Sequence, residues 1–217
     1  MSLDSCRKRI LDRLTRSVFD QKVIDNQYRG VWAEFMVADA LGERCQVVSH
    51  GWHPWDLQIG DSKSEFPNRI RIQIKNTARI QTWRRPEDAP SKCQWELKMR
   101  KKPAYFERDN PGVSCEDYGY LCDLFVLCHH PLEDPDAVDH RDPSQWHFYL
   151  VPVTPDHSIF PVKPMREGQK SPSCYTVVPK SLRKGIRGRP PIKPLAFDQL
   201  RIDEIFRALA LSRENSD

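Results

Sequence analysis

No run in this 217-residue chain approaches the roughly 20 consecutive apolar residues that carry a helix across a bilayer. With 29% charged residues and a mean hydropathy of −0.66, a polar-surfaced protein without a membrane partner is expected. The segment from Met1 to Arg9 lacks an apolar signal stretch, so a cytoplasmic location is expected. No CxxC pair occurs among Cys6, Cys45, Cys93, Cys115, Cys122, Cys128 and Cys174. Their odd number and scatter point to reduced thiols rather than a disulfide framework. Cys128-His129-His130, with Cys115 and Cys122 upstream, lacks the spacing of a zinc module, and Cys122 and Cys128 read as small core residues of an apolar run. His50, His53, His129, His130, His140, His147 and His157 show neither metal nor triad spacing. Internal repeats and low-complexity tracts are also missing.

What is present has the length of one domain. Ile10, Leu11, Leu14 and Val18 recur at helical spacing within 3–19. A second helix over about 28–41 carries a stripe of Tyr28, Val31, Trp32, Phe35 and Ala38, with Gly42 as its stop. Strand-like runs follow at 45–49, 55–59 and 69–75, with a turn-rich hairpin loop over 60–68. A further strand is expected at 94–99. The stretch 115–120 then leads into a buried run at 121–128, and a strand at 146–153 ends near Pro152. The Pro- and Asp-rich stretches 131–145 and 154–172 read as surface connections. Asp198 can cap a last helix with Ile202, Ile205, Phe206 and Leu209 on one face. This order predicts an α/β fold, a central mixed β-sheet flanked by helices.

Within it, Trp55-Asp56 opens one strand and Arg69 to Lys75 forms the next. Side chains alternate across a strand, so Gln73 and Lys75 share one face while Ile72 and Ile74 share the other. Magnesium takes oxygen ligands and keeps several waters. Asp56 would be its main anionic ligand, with oxygens from the Gln73 amide and the Ile74 backbone carbonyl. Lys75 beside the ion can orient or help deprotonate an attacking water and stabilise charge on a phosphorane-like transition state. The plain structural alternative makes Asp56 a turn residue and Gln73 and Lys75 a solvated strand face. Glu34, among Trp32, Ala33, Phe35 and Met36, either points to solvent beside Arg29 and Asp39 or reaches into the site.

Glu34 on a helix, Trp55-Asp56 on a strand and Gln73-Ile74-Lys75 on the next resemble the PD-(D/E)XK, or restriction-endonuclease-like, nuclease superfamily. In that pattern an aspartate begins the second core strand and a (D/E/Q)-x-K tripeptide lies on the third. Pro54-Trp55-Asp56 echoes its Pro-Asp element with one residue inserted. Residues 120–127 are similar to the core strand after the motif helix, and 148–152 to the strand following it. The resemblance implies a restriction-endonuclease-like core over about 28–155, within a single domain of 1–217. The remainder, 156–217, forms an extension of strand, basic loop and helix. It implies a Mg2+-dependent deoxyribonuclease, with Mn2+ able to substitute and no organic cofactor, in which Asp56, Gln73 and Glu34 hold metal and Lys75 assists. Gln73 stands where Asp or Glu is usual, which removes one negative charge.

A net charge of +4 is compatible with a polyanionic partner. Lys180, Arg183, Lys184, Arg187, Arg189 and Lys193 occur with no acid among them, whereas 133–142 is acidic. Arg187-Gly188-Arg189-Pro190 resembles the core of an AT-hook, and with Lys184, Arg84 and Arg85 it offers phosphate contacts to DNA; a solvated basic loop is the plainer reading. Trp52, Trp55 and Trp83 read as core residues, or, for Trp83 beside Arg84-Arg85, as a base-stacking platform. A homodimer would suit double-strand cleavage by a single-site enzyme. Two other classes remain: a nuclease-fold DNA-binding or assembly protein without catalysis, and an interaction domain without nucleic acid.

Overall fold

A computed structural model describes residues 3–49, 54–60, 68–85, 87–101, 118–153, 174–186 and 190–214. The expected positions Trp52, His50, His53, Cys115, His157, Arg187, Arg189 and the connection 154–172 lie outside them. Helix α1 (Leu3–Phe19) matches the expected span. Helix α2 (Asn26–Leu41) starts earlier than its apolar stripe suggested, because the Asp25 side chain accepts the Gln27 N–H as an N-cap. It stops at Gly42, whose φ of 77° few other residues adopt readily.

The buried face of α2 corrects the sequence reading. Arg29, Ala33, Met36, Val37 and Leu41 face inward, whereas Tyr28 (41%) and Phe35 (50%) are exposed. The helix is apolar almost all round, so periodicity alone does not select a face. Ala33 and Val37 on the inward face, with Gly30 beside them, let α2 approach the sheet; a Cβ on Gly30 would lie 3.6 Å from Asn76 Nδ2. The bulky outer face is partly covered by Phe19, which packs on Tyr28 and Trp32.

Among the described residues the strands are β1 (Cys45–Val47), β2 (Leu57–Gly60), β3 (Arg69–Ala78), β4 (Trp95–Leu97), β5 (Arg100–Lys101), β6 (Tyr118–Gly119), β7 (Leu124–His130), β8 (His147–Pro152) and β9 (Tyr175–Val177). The main sheet has the order β1-β2-β3-β7-β8. β1, β2 and β3 form an antiparallel meander, β3 runs parallel to β7, and β8 is antiparallel to β7. All seven residues of β7 are buried, which is why its first five, Leu124 to Cys128, are a continuous rather than alternating apolar run. Among the described residues no helix separates β3 from β7; β4, β5 and β6 lie there instead of the motif helix that the resemblance implies.

The sheet is buried on both faces. Ile70, Ile72 and Ile74 join Ala33, Met36 and Val37 of α2 and Ile205 and Leu209 of the last helix in one core. Phe125, Leu127, Tyr149 and Val151 pack on the other face against Trp95 and Leu97 of β4, Val177 of β9 and Leu182 of α3 (Pro179–Lys184). Cys122 and Cys128 are buried free thiols in these cores. The last helix, α4, is Ile202–Glu214, and Asp198 sits within a preceding 3-10 turn, Phe197–Gln199, rather than at its cap. No described helix is long and apolar enough to cross a membrane.

Candidate active site

β2 begins at Leu57 opposite Ile72 while β3 runs on to Ala78, and Asp56 directly precedes β2 at that point. Leu57 pairs with Ile72, and the Asp56 N–H donates to the Ile72 carbonyl at 3.0 Å. The next hydrogen bond along this edge of β3 is made by a side chain: Asp56 Oδ2 accepts the Ile74 N–H at 2.7 Å. The same oxygen accepts the amide Nε2–H of Gln73. The Asp56 carbonyl in turn accepts the N–H groups of Val48 (2.9 Å) and Ser49 (3.2 Å). Main chain and carboxylate are thus fixed from both sides, the preorganisation a metal ligand needs.

Trp55 steers this turn. It is buried at 4% exposure in the second core, and the guanidinium groups of Arg69 and Arg71 lie 5.8 and 5.7 Å from its ring centre. Arg69, Arg71, Gln73 and Lys75 form one polar row on β3, opposite the isoleucines. Gln73 and Lys75 line a small cleft of about 50 Å³ with Glu96, Lys98, Tyr120 and Cys122. Burial pushes the Cys122 thiol far up, so a nucleophilic thiolate is not available in this cleft at neutral pH.

Glu34 occupies the helix-side face of the sheet. Its Oε2 accepts the Ser49 hydroxyl at 2.7 Å, and Ser49 is the residue whose N–H meets the Asp56 carbonyl. Glu34 is therefore linked to Asp56 through one intervening residue, which the sequence reading missed. Asp123 and Arg29 were missed too. Asp123 binds Arg71 at the opposite edge of β3. Arg29 is buried at 1% exposure and spans Asn76, Gln81 and Asn26. Its place four residues before Ala33, on the buried stripe, is the signal that could have found it.

The donors gathered at Asp56 are oxygen-rich and hard. They comprise a carboxylate, a side-chain amide and the Ile74 carbonyl, which leaves β3 on the same edge as the Ile74 N–H. That set fits Mg2+ or Mn2+, which keep water in their coordination sphere, better than zinc. Gln73 presents its nitrogen to Asp56, so its oxygen reaches an ion there only after the amide turns over. Among the described residues no group of three or more His, Cys, Asp or Glu side chains is placed to hold a metal.

The basic candidates lie elsewhere. Arg84 and Arg85 follow β3 beside a groove of about 600 Å³ that also includes Lys22, Gln81 and Thr82. Trp83 is 62% exposed and so is not a core residue. Lys184 is exposed in the last turn of α3. His129, His130 and His140 are buried. Desolvation lowers their pKa values to about 4, about 4 and about 3, which leaves them neutral core groups at physiological pH. No protein-family model, no curated protein and no solved structure matches this chain.

Proposed function

We propose that this chain is a divalent-metal-dependent nuclease that hydrolyses DNA phosphodiester bonds. It would be built on a restriction-endonuclease-like core, with the site at the junction of β2 and β3. The observation that carries this reading is the Asp56 carboxylate, held just before β2 against the Ile74 N–H and the Gln73 amide. Lys75 follows Gln73 on the same face and lines the adjoining cleft. The meander β1-β2-β3 and the parallel β3/β7 pair also support it, since they put the aspartate ahead of the second strand and the QxK tripeptide on the third.

A bound divalent cation would supply Lewis acidity and a bound water of lowered pKa. Asp56, the Gln73 oxygen and the Ile74 carbonyl would hold it, and Glu34 would act from the other side of Ser49. The Lys75 ammonium would orient the attacking water or donate to the phosphate oxygens as negative charge builds. Arg84, Arg85 and Lys184 would serve DNA binding through phosphate contacts, so affinity should fall steeply with salt.

A second reading has its own observation. Gln73, an uncharged amide, stands beside Asp56 where the resemblance puts an acid, as expected of a nuclease fold kept for DNA binding or assembly after losing catalysis. One experiment separates the two. Plasmid and linear DNA are incubated with Mg2+ or Mn2+ and the purified chain, its Asp56→Ala variant and its Lys75→Ala variant. Cleavage by the wild type, lost in both variants while DNA binding survives, is the expected result. Binding without cleavage under any divalent ion selects the second reading.

A further inference from the structure

We propose that His129, His147, Tyr149 and Arg183 form an anion site that takes a phosphate group. It lies apart from Asp56 and does not depend on the metal-dependent reading. The two histidines face each other across adjacent strands: His129 of β7 pairs with His147 of β8, and Leu127 pairs with Tyr149 two residues away. Alternation puts all of them on the second-core face, where Leu127 and Tyr149 are buried. The imidazole rings lie 6.2 Å apart at an angle of 63°. Trp95 makes T-shaped contacts with both His129 (6.1 Å) and Tyr149 (5.8 Å). Its Nε1–H donates to the Cys128 carbonyl at 3.2 Å, which fixes this wall of the site.

The polar atoms collected here are short of partners. Both ring nitrogens of His129, Nδ1 of His147 and the Tyr149 hydroxyl are buried and meet no hydrogen-bond partner among the described residues. His129 is 7% exposed and Tyr149 0%. Leaving one such group unsatisfied is costly, and three side chains in that state at one place are best satisfied by a common ligand. The surrounding charge decides its sign. Arg183 follows the buried Leu182 on α3, is itself exposed and makes no ion pair among the described residues. It reinforces the burial that lowers the His147 pKa, acts after burial and His147 in lowering that of His129, and opposes the burial that raises the Tyr149 phenol. The other groups acting on His129 are His130 and Arg79, with no carboxylate among them. A cation here would meet Arg183 with no carboxylate to balance it, and two imidazoles alone fall short of a zinc ligand set. A phosphate would instead accept from the guanidinium, from the N–H groups of the two rings and from the phenol. Half-buried His147 and exposed Arg183 leave one side open to solvent.

The test follows the imidazole signals of the whole chain by NMR with isotope-labelled histidine, in the absence of metal, as inorganic phosphate is added. Chloride at matched ionic strength is the control. The His129 and His147 signals should shift saturably with phosphate and not with chloride, while that of His140, packed on Trp146, should stay. Arg183→Gln should weaken phosphate binding by about tenfold or more, the loss of one charge-assisted contact. Its side chain is exposed, so the substitution leaves the fold intact; circular dichroism checks this. A second titration with oligothymidylate identifies the source. Tighter binding than inorganic phosphate assigns the group to a nucleic-acid backbone, and equal or weaker binding assigns it to a free phosphate. Equal shifts with chloride, or unchanged affinity in Arg183→Gln, overturn the site. Signals that neither ligand moves at millimolar concentration leave these atoms to solvent and overturn it as well. None of these outcomes bears on Asp56, whose role is read from DNA cleavage.

Discussion

Asp123 grips Arg71 through side chain and main chain together. Arg71 donates from its backbone N–H (2.7 Å) and Nε (3.0 Å) to Oδ2 and from a terminal nitrogen to Oδ1 (2.6 Å), while the Asp123 N–H returns a bond to the Arg71 carbonyl at 2.8 Å. Asp123 thereby does for β7 what Asp56 does for β2: each aspartate directly precedes its strand and accepts an N–H from β3. The two differ in what else they hold. Asp123 neutralises the Arg71 guanidinium, and Asp56 also accepts the Gln73 amide N–H. With side chains only 21% and 15% exposed, losing this pair should cost about 2–3 kcal/mol. Asp123→Ala should show it as a lowered urea midpoint, with Mn2+ affinity unchanged under native conditions.

The β2–β3 hairpin depends on Gly60. Its φ is +88°, and a Cβ there would sit 1.8 Å from the Asn68 carbonyl oxygen, a backbone atom that cannot swing aside. Gly42 has a similar φ of +77° but open space around it. Gly42→Ala should therefore cost about 1 kcal/mol, from backbone conformation alone. Gly60→Ala should cost clearly more, at the hairpin end of β2 and β3. Chemical unfolding of both variants checks the contrast; equal losses would mean that the hairpin relaxes freely.

Stability should fall on mild acidification. His130 and His140 pack with ring centres 4.8 Å apart against Trp146, and the His140 Nδ1 accepts the Ile24 N–H at 3.1 Å. Burial holds their folded pKa values at about 4 and about 3, with His129 also at about 4, against about 6.5 in the unfolded chain. Below about 6.5 the unfolded chain takes up protons that the folded protein does not. The stabilisation from neutral burial is thus complete above that pH and shrinks as pH falls toward 4, by up to about 1.4 kcal/mol per unit for each ring. Urea midpoints between pH 7 and 4.5 should record this slope, and His140→Gln should reduce it by up to one proton. An unchanged slope would show that the ring is already solvated.

Most of the architecture was legible because it follows local rules. Alternation of Ile70, Ile72 and Ile74 gave the strand and its two faces, and the order of helix, three strands and later strands gave the mixed sheet. Asp56 and Gln73 were readable because the rule of two places the amide on the polar face and Pro54-Trp55 marks the turn before the acid. The buried face of α2 was not, since the exposed aromatics Tyr28 and Phe35 weigh heavily in any hydrophobic pattern and the buried Arg29 counts against its own face. Ser49 and Asp123 are bridging residues whose roles exist only once distant strands meet.

Arg29 fastens the helix carrying Glu34 to the strand carrying the tripeptide. Its Nε donates to Asn76 Oδ1 at 2.8 Å, one terminal nitrogen to Gln81 Oε1 at 2.7 Å, and the other to Asn26. Gln81 is itself oriented by donating to the Ala78 carbonyl at 2.8 Å. Desolvation lowers the guanidinium pKa to about 10, so the group stays charged at neutral pH while surrounded by neutral amide oxygens. A lysine carries the same charge without the planar fork and cannot span three acceptors at these angles. Arg29→Lys should therefore lower stability by about 2 kcal/mol, and Arg29→Met, which strands all three acceptors, by more. Hydrogen exchange should localise the loss to α2 and the end of β3, and wild-type protection in Arg29→Met would show that packing alone holds the helix in place.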